Sequence, residues 1–308
     1  MTIGFVFPGQ GAQTVGMLAD ISALDSKFKP RIEEASDAVG FDLAGLILDG
    51  PEERLNQTEV TQPAVLAVSV ALYEVWIGQQ GRTPDFMAGH SLGEYSALVA
   101  SGAMNFRDAV KLVHERGKLM QKAVPLGTGA MAAIIGLDLD EVSALCDKTK
   151  GIVSPANINS AEQIVIAGEA EAVDAMTTAC KEAGAKRALK LDVSVPSHCE
   201  LMVSASDEVQ LLLEQTEFRL PVIPVIHNVD GEIAEDVAGI VNKLTLQLSN
   251  PVRWSLCMQK MIEKGVTDVI ECGPGKVLLG LMRRIDRSVN AKAIGEVGSL
   301  QEALREFA

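Results

Sequence analysis

The hexapeptide Gly89-His90-Ser91-Leu92-Gly93-Glu94 follows a short apolar run, Phe86-Met87-Ala88, and leads into a small-residue run from Leu92 to Ala100. A G-x-S-x-G sequence between a strand-like and a helix-like segment holds its serine on a tight turn with the hydroxyl exposed. That turn requires a strand feeding directly into a helix, which restricts the chain to folds of alternating strands and helices. Ser91 is therefore the candidate nucleophile. The pentapeptide also recurs by chance, so the rest of the chain must supply the chemistry.

A chain of 308 residues accommodates one large domain carrying a smaller insert. Hydrophobic residues make up 47% and aromatic residues only 4%, a balance that suits helices packed on a parallel sheet. The formal charge of -14 argues against a general nucleic-acid surface and leaves any anionic partner to dock on a local basic patch. The cysteines (Cys146, Cys180, Cys199, Cys257 and Cys272) are odd in number, irregularly spaced and without a CxxC pair. Reduced cytosolic thiols are expected, not a disulfide framework or zinc site. The N-terminus enters Ile3-Gly4-Phe5-Val6-Phe7 with no basic leader, and no apolar run is read as approaching ~20 residues. The expectation is a soluble cytoplasmic protein with no membrane partner.

The run at residues 3 to 7 breaks at Pro8-Gly9-Gln10-Gly11, as a buried strand does on entering a loop. The glycines at 9, 11 and 16 do not fit the dinucleotide pattern G-x-G-x-x-G. Apolar residues recur with helical spacing from Gln62 to Gln79, with Pro63 placed in a first turn, and again from Asp108 to Gln121. Between about 127 and 195 the rhythm changes to strand 130–135, helix 140–148, strands 153–158 and 163–167, helix 171–183 and strand 187–191. That βαββαβ order is the ferredoxin-like unit. Helices at 200–216, 236–248, 254–264 and 276–283, with strands at 222–229 and 268–271, resume a parallel sheet. The fold class is α/β, divided as 1–125 and 197–308 for the main domain and 126–196 for the insert.

A serine nucleophile needs a base. Of four histidines, His90 sits on the turn with its ring expected to point away from Ser91, His114 falls on the polar side of its helix, and His227 lies in an apolar run. His198 lies where the insert rejoins the main domain, the natural place for a cleft. Asp108, Asp138, Asp140, Asp147, Asp174 and Asp192 sit mostly at helix starts, where acids complement the dipole, and none stands out as the group orienting the imidazole. A neutral acceptor can fix the tautomer equally well. At about 100° per residue, Ala109, Leu112, Val113, Leu119 and Met120 form one stripe with Arg116 at its centre. An inward guanidinium either pairs with an internal carboxylate or carbonyls, or receives a substrate carboxylate with its planar fork. The loop bearing Gln10 shares the sheet rim with Ser91, so the amides of Gln10 and Leu92 are candidate oxyanion donors.

With these residues in place the chain resembles the malonyl-CoA:acyl carrier protein transacylases, which are related to polyketide acyltransferase domains. The resemblance runs almost end to end, through FPGQGAQ at 7–13, TQPA at 61–64, GHSLGE at 89–94, RGKLMQ at 116–121, GAMAAIIG at 129–136, VPSH at 195–198, NPVRW at 250–254 and GPGKVL at 273–278. It implies an α/β-hydrolase-like core with a ferredoxin-like insertion. It also implies Ser91 as nucleophile, His198 as base, Arg116 as malonyl-carboxylate clamp, and the Gln10 and Leu92 amides as oxyanion hole. The main-chain carbonyl of Gln247 would orient the histidine, Gln62 would line the pocket, and Asn157 and Asn159 would lie along the pantetheine path. The implied activity is ping-pong malonyl transfer from CoA to acyl carrier protein without metal or redox cofactor, by a monomer. Carrier proteins are usually acidic, so Arg283, Arg284 and Arg287, or Lys186, Arg187 and Lys190, are the candidate docking patches.

Overall fold

The computed structural model describes residues 1–193 and 195–307. The first strand, β1 (Ile3–Phe7), is followed by α1 (Ala19–Leu24), α2 (Phe28–Val39), α3 (Leu43–Asp49), α4 (Glu52–Leu55) and the long α5 (Thr58–Gly78). Strand β2 (Phe86–Gly89) turns into α6 (Gly93–Ala100), and α7 (Phe106–Ala123) follows. A second unit comprises β3 (Gly129–Ile135), α8 (Leu139–Cys146), β4 (Val153–Ser160), β5 (Gln163–Glu169), α9 (Ala170–Glu182) and β6 (Arg187–Lys190). The chain closes with α10 (Val203–Gln215), β7 (Val225–Ile226), α11 (Val237–Gln247), α12 (Trp254–Glu263), β8 (Asp268–Glu271), α13 (Val277–Ile285), β9 (Asn290–Ala293) and α14 (Val297–Phe307).

Five strands make a parallel sheet in the order β7-β2-β1-β8-β9, and the other four an antiparallel sheet in the order β4-β5-β3-β6. The parallel sheet is covered on both faces, which is why β1 reads as an unbroken apolar run. Ile3, Phe5 and Phe7 enter the larger core with α5, while Val6 joins the smaller core with α12 and α13 on the other side. The antiparallel sheet packs one face on α8 and α9 and turns the other, through Met131, Val165 and Ala167, toward Cys199. Backbone bonds from Ile158 to the Val252 carbonyl (2.8 Å) and from Val252 to the Ala156 carbonyl (2.9 Å) tie β4 to the segment before α12.

Several expectations change. Helix α5 begins at Thr58, so Pro63 stands inside it and not in its first turn. Proline has no N–H for the Glu59 carbonyl. His114 fills that gap, donating from Nδ1 at 2.7 Å, and is buried instead of sitting on a polar face. Helix α5 is also long and apolar enough to cross a membrane by length and composition, contrary to the reading of apolar runs, yet 89% of its apolar window is buried within the protein. It is the core helix, with the Phe5 ring packed edge-on against Tyr73 and Trp76. The strand expected at 222–229 shrinks to Val225–Ile226, and the segments containing α1 to α4, β9 and α14 carry structure that periodicity did not reveal.

Candidate active site

The turn between β2 and α6 is built by its glycines. A Cβ at Gly89 would stand 1.8 Å from the Gly93 carbonyl carbon, and one at Gly93 would stand 2.0 Å from the Phe7 carbonyl oxygen. No other residue permits this crossing. Ser91 sits at the apex with φ 52, a left-handed conformation that costs a non-glycine residue on the order of 1 kcal/mol or more. Asn228, just after β7, braces the turn from both sides: its Oδ1 accepts from Ser91 N at 2.7 Å and its Nδ2 donates to Gly89 O at 2.7 Å.

Ser91 Oγ lies 2.7 Å from His198 Nε2, and His198 Nδ1 lies 2.7 Å from the Gln247 carbonyl oxygen. A carbonyl can only accept, so the Nδ1 carries the proton and Nε2 presents its lone pair to the hydroxyl. The group holding the imidazole is thus a main-chain carbonyl, and none of the six candidate aspartates. Burial pushes His198 down to about 3, the nearby Arg116 charge pushes the same way, and the Gln247 carbonyl opposes both. The ring is a neutral base at ordinary pH.

Arg116 points inward from α7 and is 1% exposed. Its two terminal nitrogens donate to Gln62 Oε1 at 2.7 Å and Gln247 Oε1 at 3.1 Å, and its guanidinium lies 5.5 Å from the Tyr95 ring centre. Burial lowers its pKa, while Tyr95 and Glu94 oppose the fall. Both partners of the fork are neutral amide oxygens, so no carboxylate of the described residues touches the cation. Gln62 Nε2 donates to Thr58 Oγ1 at 2.9 Å, and Thr58 donates onward to Gln10 Oε1 at 2.8 Å. One hydrogen-bonded chain therefore runs from the loop after β1 to the guanidinium.

Gln10, Ser91, Leu92, Arg116, Met120 and His198 line one cavity of about 110 Å³. The backbone N–H groups of Gln10 and Leu92 have no acceptor among the described residues. A second cavity of about 290 Å³ shares Gln10, His90 and Asn157 with the first and reaches α13 at Val277 and Leu281. Asn157 faces both cavities and its Oδ1 has no partner among the described residues. Irregularities in β4 on either side of it, a usual device for re-aiming side chains, accompany that position. Asn159 Oδ1 meets His90 Nε2 at 2.8 Å, so the His90 ring also lines both cavities, away from the Ser91–His198 bond but not away from the site.

The basic clusters separate. Among the described residues, Lys186 and Lys190 are engaged by Glu162 and Asp174, both at 2.8 Å, leaving Arg187 alone in that cluster exposed without an ion pair, whereas Arg283, Arg284 and Arg287 are all exposed with no ion pair. Sequence reasoning passed over Glu94, Asn228 and Thr58. Glu94 had a signal of its own, since a lone acid in an otherwise apolar run is as anomalous as Arg116 on its stripe.

A parallel α/β sheet with a serine–histidine pair at its rim, joined to a ferredoxin-like sheet, defines an acyltransferase. The chain belongs to the acyl transferase family, whose domain matches residues 4–308. It is 52% identical over 302 residues to the malonyl CoA-acyl carrier protein transacylase of Escherichia coli K12, covering 97% of this chain and 98% of that one. The Bacillus subtilis protein of the same name is 42% identical over 98% of this chain and 96% of its own. Among solved structures, an acyl carrier protein S-malonyltransferase from Vibrio cholerae superposes with a TM-score of 0.95 at 51% identity, covering 98% of this chain and 99% of that one. A malonyl-transacylase in complex with its type II polyketide acyl-carrier protein gives 0.98 at 50% identity, covering 99% of this chain and all of its own.

Proposed function

We propose that this chain transfers malonyl from malonyl-CoA to the phosphopantetheine thiol of acyl carrier protein through a malonyl ester on Ser91, supplying extender units for fatty-acid synthesis. One observation carries the reading. Arg116 is buried, unpaired with any carboxylate among the described residues, and on the wall of the cavity that holds Ser91 Oγ. A cation kept in that state fits an anionic acyl group, and a bidentate fork is the natural receptor for its carboxylate. The names of the relatives support the same substrate pair.

In the proposed mechanism His198 Nε2 takes the Ser91 proton as Oγ bonds to the thioester carbon. The Gln10 and Leu92 amides hold the oxyanion, each worth about 3 kcal/mol of barrier in comparable sites. Collapse breaks the carbon–sulfur bond, and the CoA sulfur leaves with the proton from His198. The carrier thiol then gives its proton to His198, its sulfur bonds to the acyl carbon, and the carbon–oxygen bond to Ser91 breaks with return of the proton to Oγ. Side chains and two amides suffice, so the reaction calls for no metal or redox cofactor.

Asn157, Asn159 and His90 would line the pantetheine path in the larger cavity, and Arg283, Arg284 and Arg287 are the preferred docking patch for an acidic carrier. The reading includes a monomer in the cytoplasm. Intact-mass measurement after incubation with malonyl-CoA alone tests the proposal. A persistent malonyl adduct that disappears in Ser91→Ala is expected, and continuous CoA release without an adduct would instead make the protein a hydrolase.

A further inference from the structure

Glu94, in the first turn of α6, is fully buried. Its Oε1 lies 2.6 Å from His227 Nδ1, and its Oε2 accepts from the Asn228 backbone N–H and from Gln247 Nε2, both at 2.9 Å. Three groups converging on two oxygens are the surroundings of an acceptor-only carboxylate. None of the three is Arg116. The Gln247 side chain stands between them, with Nε2 donating to Glu94 and Oε1 accepting from Arg116 at 3.1 Å.

This spacing solves a conflict. A carboxylate in contact with Arg116 would occupy the fork that the acyl carboxylate must use. A guanidinium buried with no anion near it would be very costly. We propose that Glu94 is a positioning residue that tempers carboxylate recognition, a counter-ion held one amide away from Arg116 so that the cation stays buried with no carboxylate of the protein on its fork. The inference rests on the reading of Arg116 as the carboxylate clamp. Glu94 also opposes the burial that lowers Arg116, and its place is keyed to the turn, because Asn228 binds both Glu94 and Ser91 N.

A nearby anion tempers the positive potential that an acyl carboxylate meets, so removing its charge strengthens malonyl recognition. Glu94→Gln is the probe. Its oxygen can accept from Asn228 and Gln247, and its NH2 can donate to His227 Nδ1 in the alternative tautomer. The ratio of kcat/KM for malonyl-CoA over acetyl-CoA is expected to rise about tenfold, mainly through a lower KM for malonyl-CoA. The unloaded variant melts earlier than the parent, and malonyl loading raises its Tm by more than it raises the parent's. A purely structural Glu94 would lower Tm and total activity without tightening anion recognition, so an unchanged or lower ratio overturns the inference. If Glu94→Gln does not fold, Glu94→Asp withdraws the charge from Gln247 by one methylene and should move the ratio the same way by at least about twofold; an unchanged ratio there overturns it as well. A parent protein with no preference for malonyl over acetyl would overturn the clamp reading and this inference with it, so the two failures are distinguishable.

Discussion

Ser91 and His198 are joined by a 2.7 Å hydrogen bond, and both stand on left-handed backbone, with φ of 52 and 65. Among the described residues, the two that meet are thus two of the four non-glycine residues in that region, with Leu18 and Gln80 the others. Strain of this kind persists where surrounding structure over-determines it.

Ser91→Gly should therefore unfold at higher denaturant than Ser91→Ala. Both variants lose the hydrogen bond and both are inactive, but only glycine relaxes the left-handed turn, for a difference of about 1 kcal/mol. Equal urea midpoints for the two would show that the turn stores no strain.

The low pKa of His198 sets a pH signature. Its imidazole stays neutral down to about 3, so Ser91 acylation should hold steady from about pH 8 to about pH 5, with no acid limb near the ordinary histidine value of about 6.5. Stability follows the same linkage. The unfolded chain takes up the proton first, so His198 costs nothing above pH of about 6.5 and progressively destabilises the fold as pH falls from there toward about 3. Stopped-flow acylation and urea titration across pH check the two limbs separately.

Arg116→Gln removes both the clamp and a neighbouring cation. Malonyl acylation should fall by the worth of a charge-assisted hydrogen bond, about 1.5 to 3 kcal/mol, while acetyl acylation falls less. The acid limb of acetyl acylation should also move upward, because Arg116 is one of the causes holding His198 down. A variant that loses both acyl groups equally and keeps the parent pH profile would refute this account of Arg116.

His114→Leu should cost about 1 to 3 kcal/mol by leaving the Glu59 carbonyl without a donor beside Pro63. The informative comparison is a double-mutant cycle with Pro63→Ala, which restores an N–H at the position that would bond Glu59. The cost of losing His114 should then shrink, and strict additivity would rule out the compensation.

Much of the fold was legible because its elements are long or periodic. The βαββαβ unit appeared in the right order, and the strand–turn–helix at Ser91 appeared with its glycines. The missed parts have physical reasons. The edge strand β9, Asn290–Ala293, is only half apolar and pairs on one side alone, α3 and α4 are short segments set off by Gly40, Gly50 and Pro51, and α2, though 12 residues long, buries only Phe28, Ile32 and Ala35. At the site, Arg116 was visible as a charge on an apolar stripe. Glu94 was equally visible in kind, but its meaning depends on Gln247 and Asn228, which lie far away in sequence and reach it only through tertiary structure. The Gln247 carbonyl has no side-chain chemistry to read, and its part in holding His198 came only with the resemblance.

Strand β1 is the middle of its sheet, flanked by β2 and by β8, with Ile3 opposite Asp268. A ribosome releases β1 long before β8, so one side of the central strand stays open while everything between them is made. During that interval α5, with the hydropathy of a membrane span, lacks Ile270, Leu300 and Phe307 from its core. The nascent chain is consequently exposed to aggregation and misrouting until β8, β9 and α14 emerge, and these late elements act as the closure that seals the sheet and the core around α5.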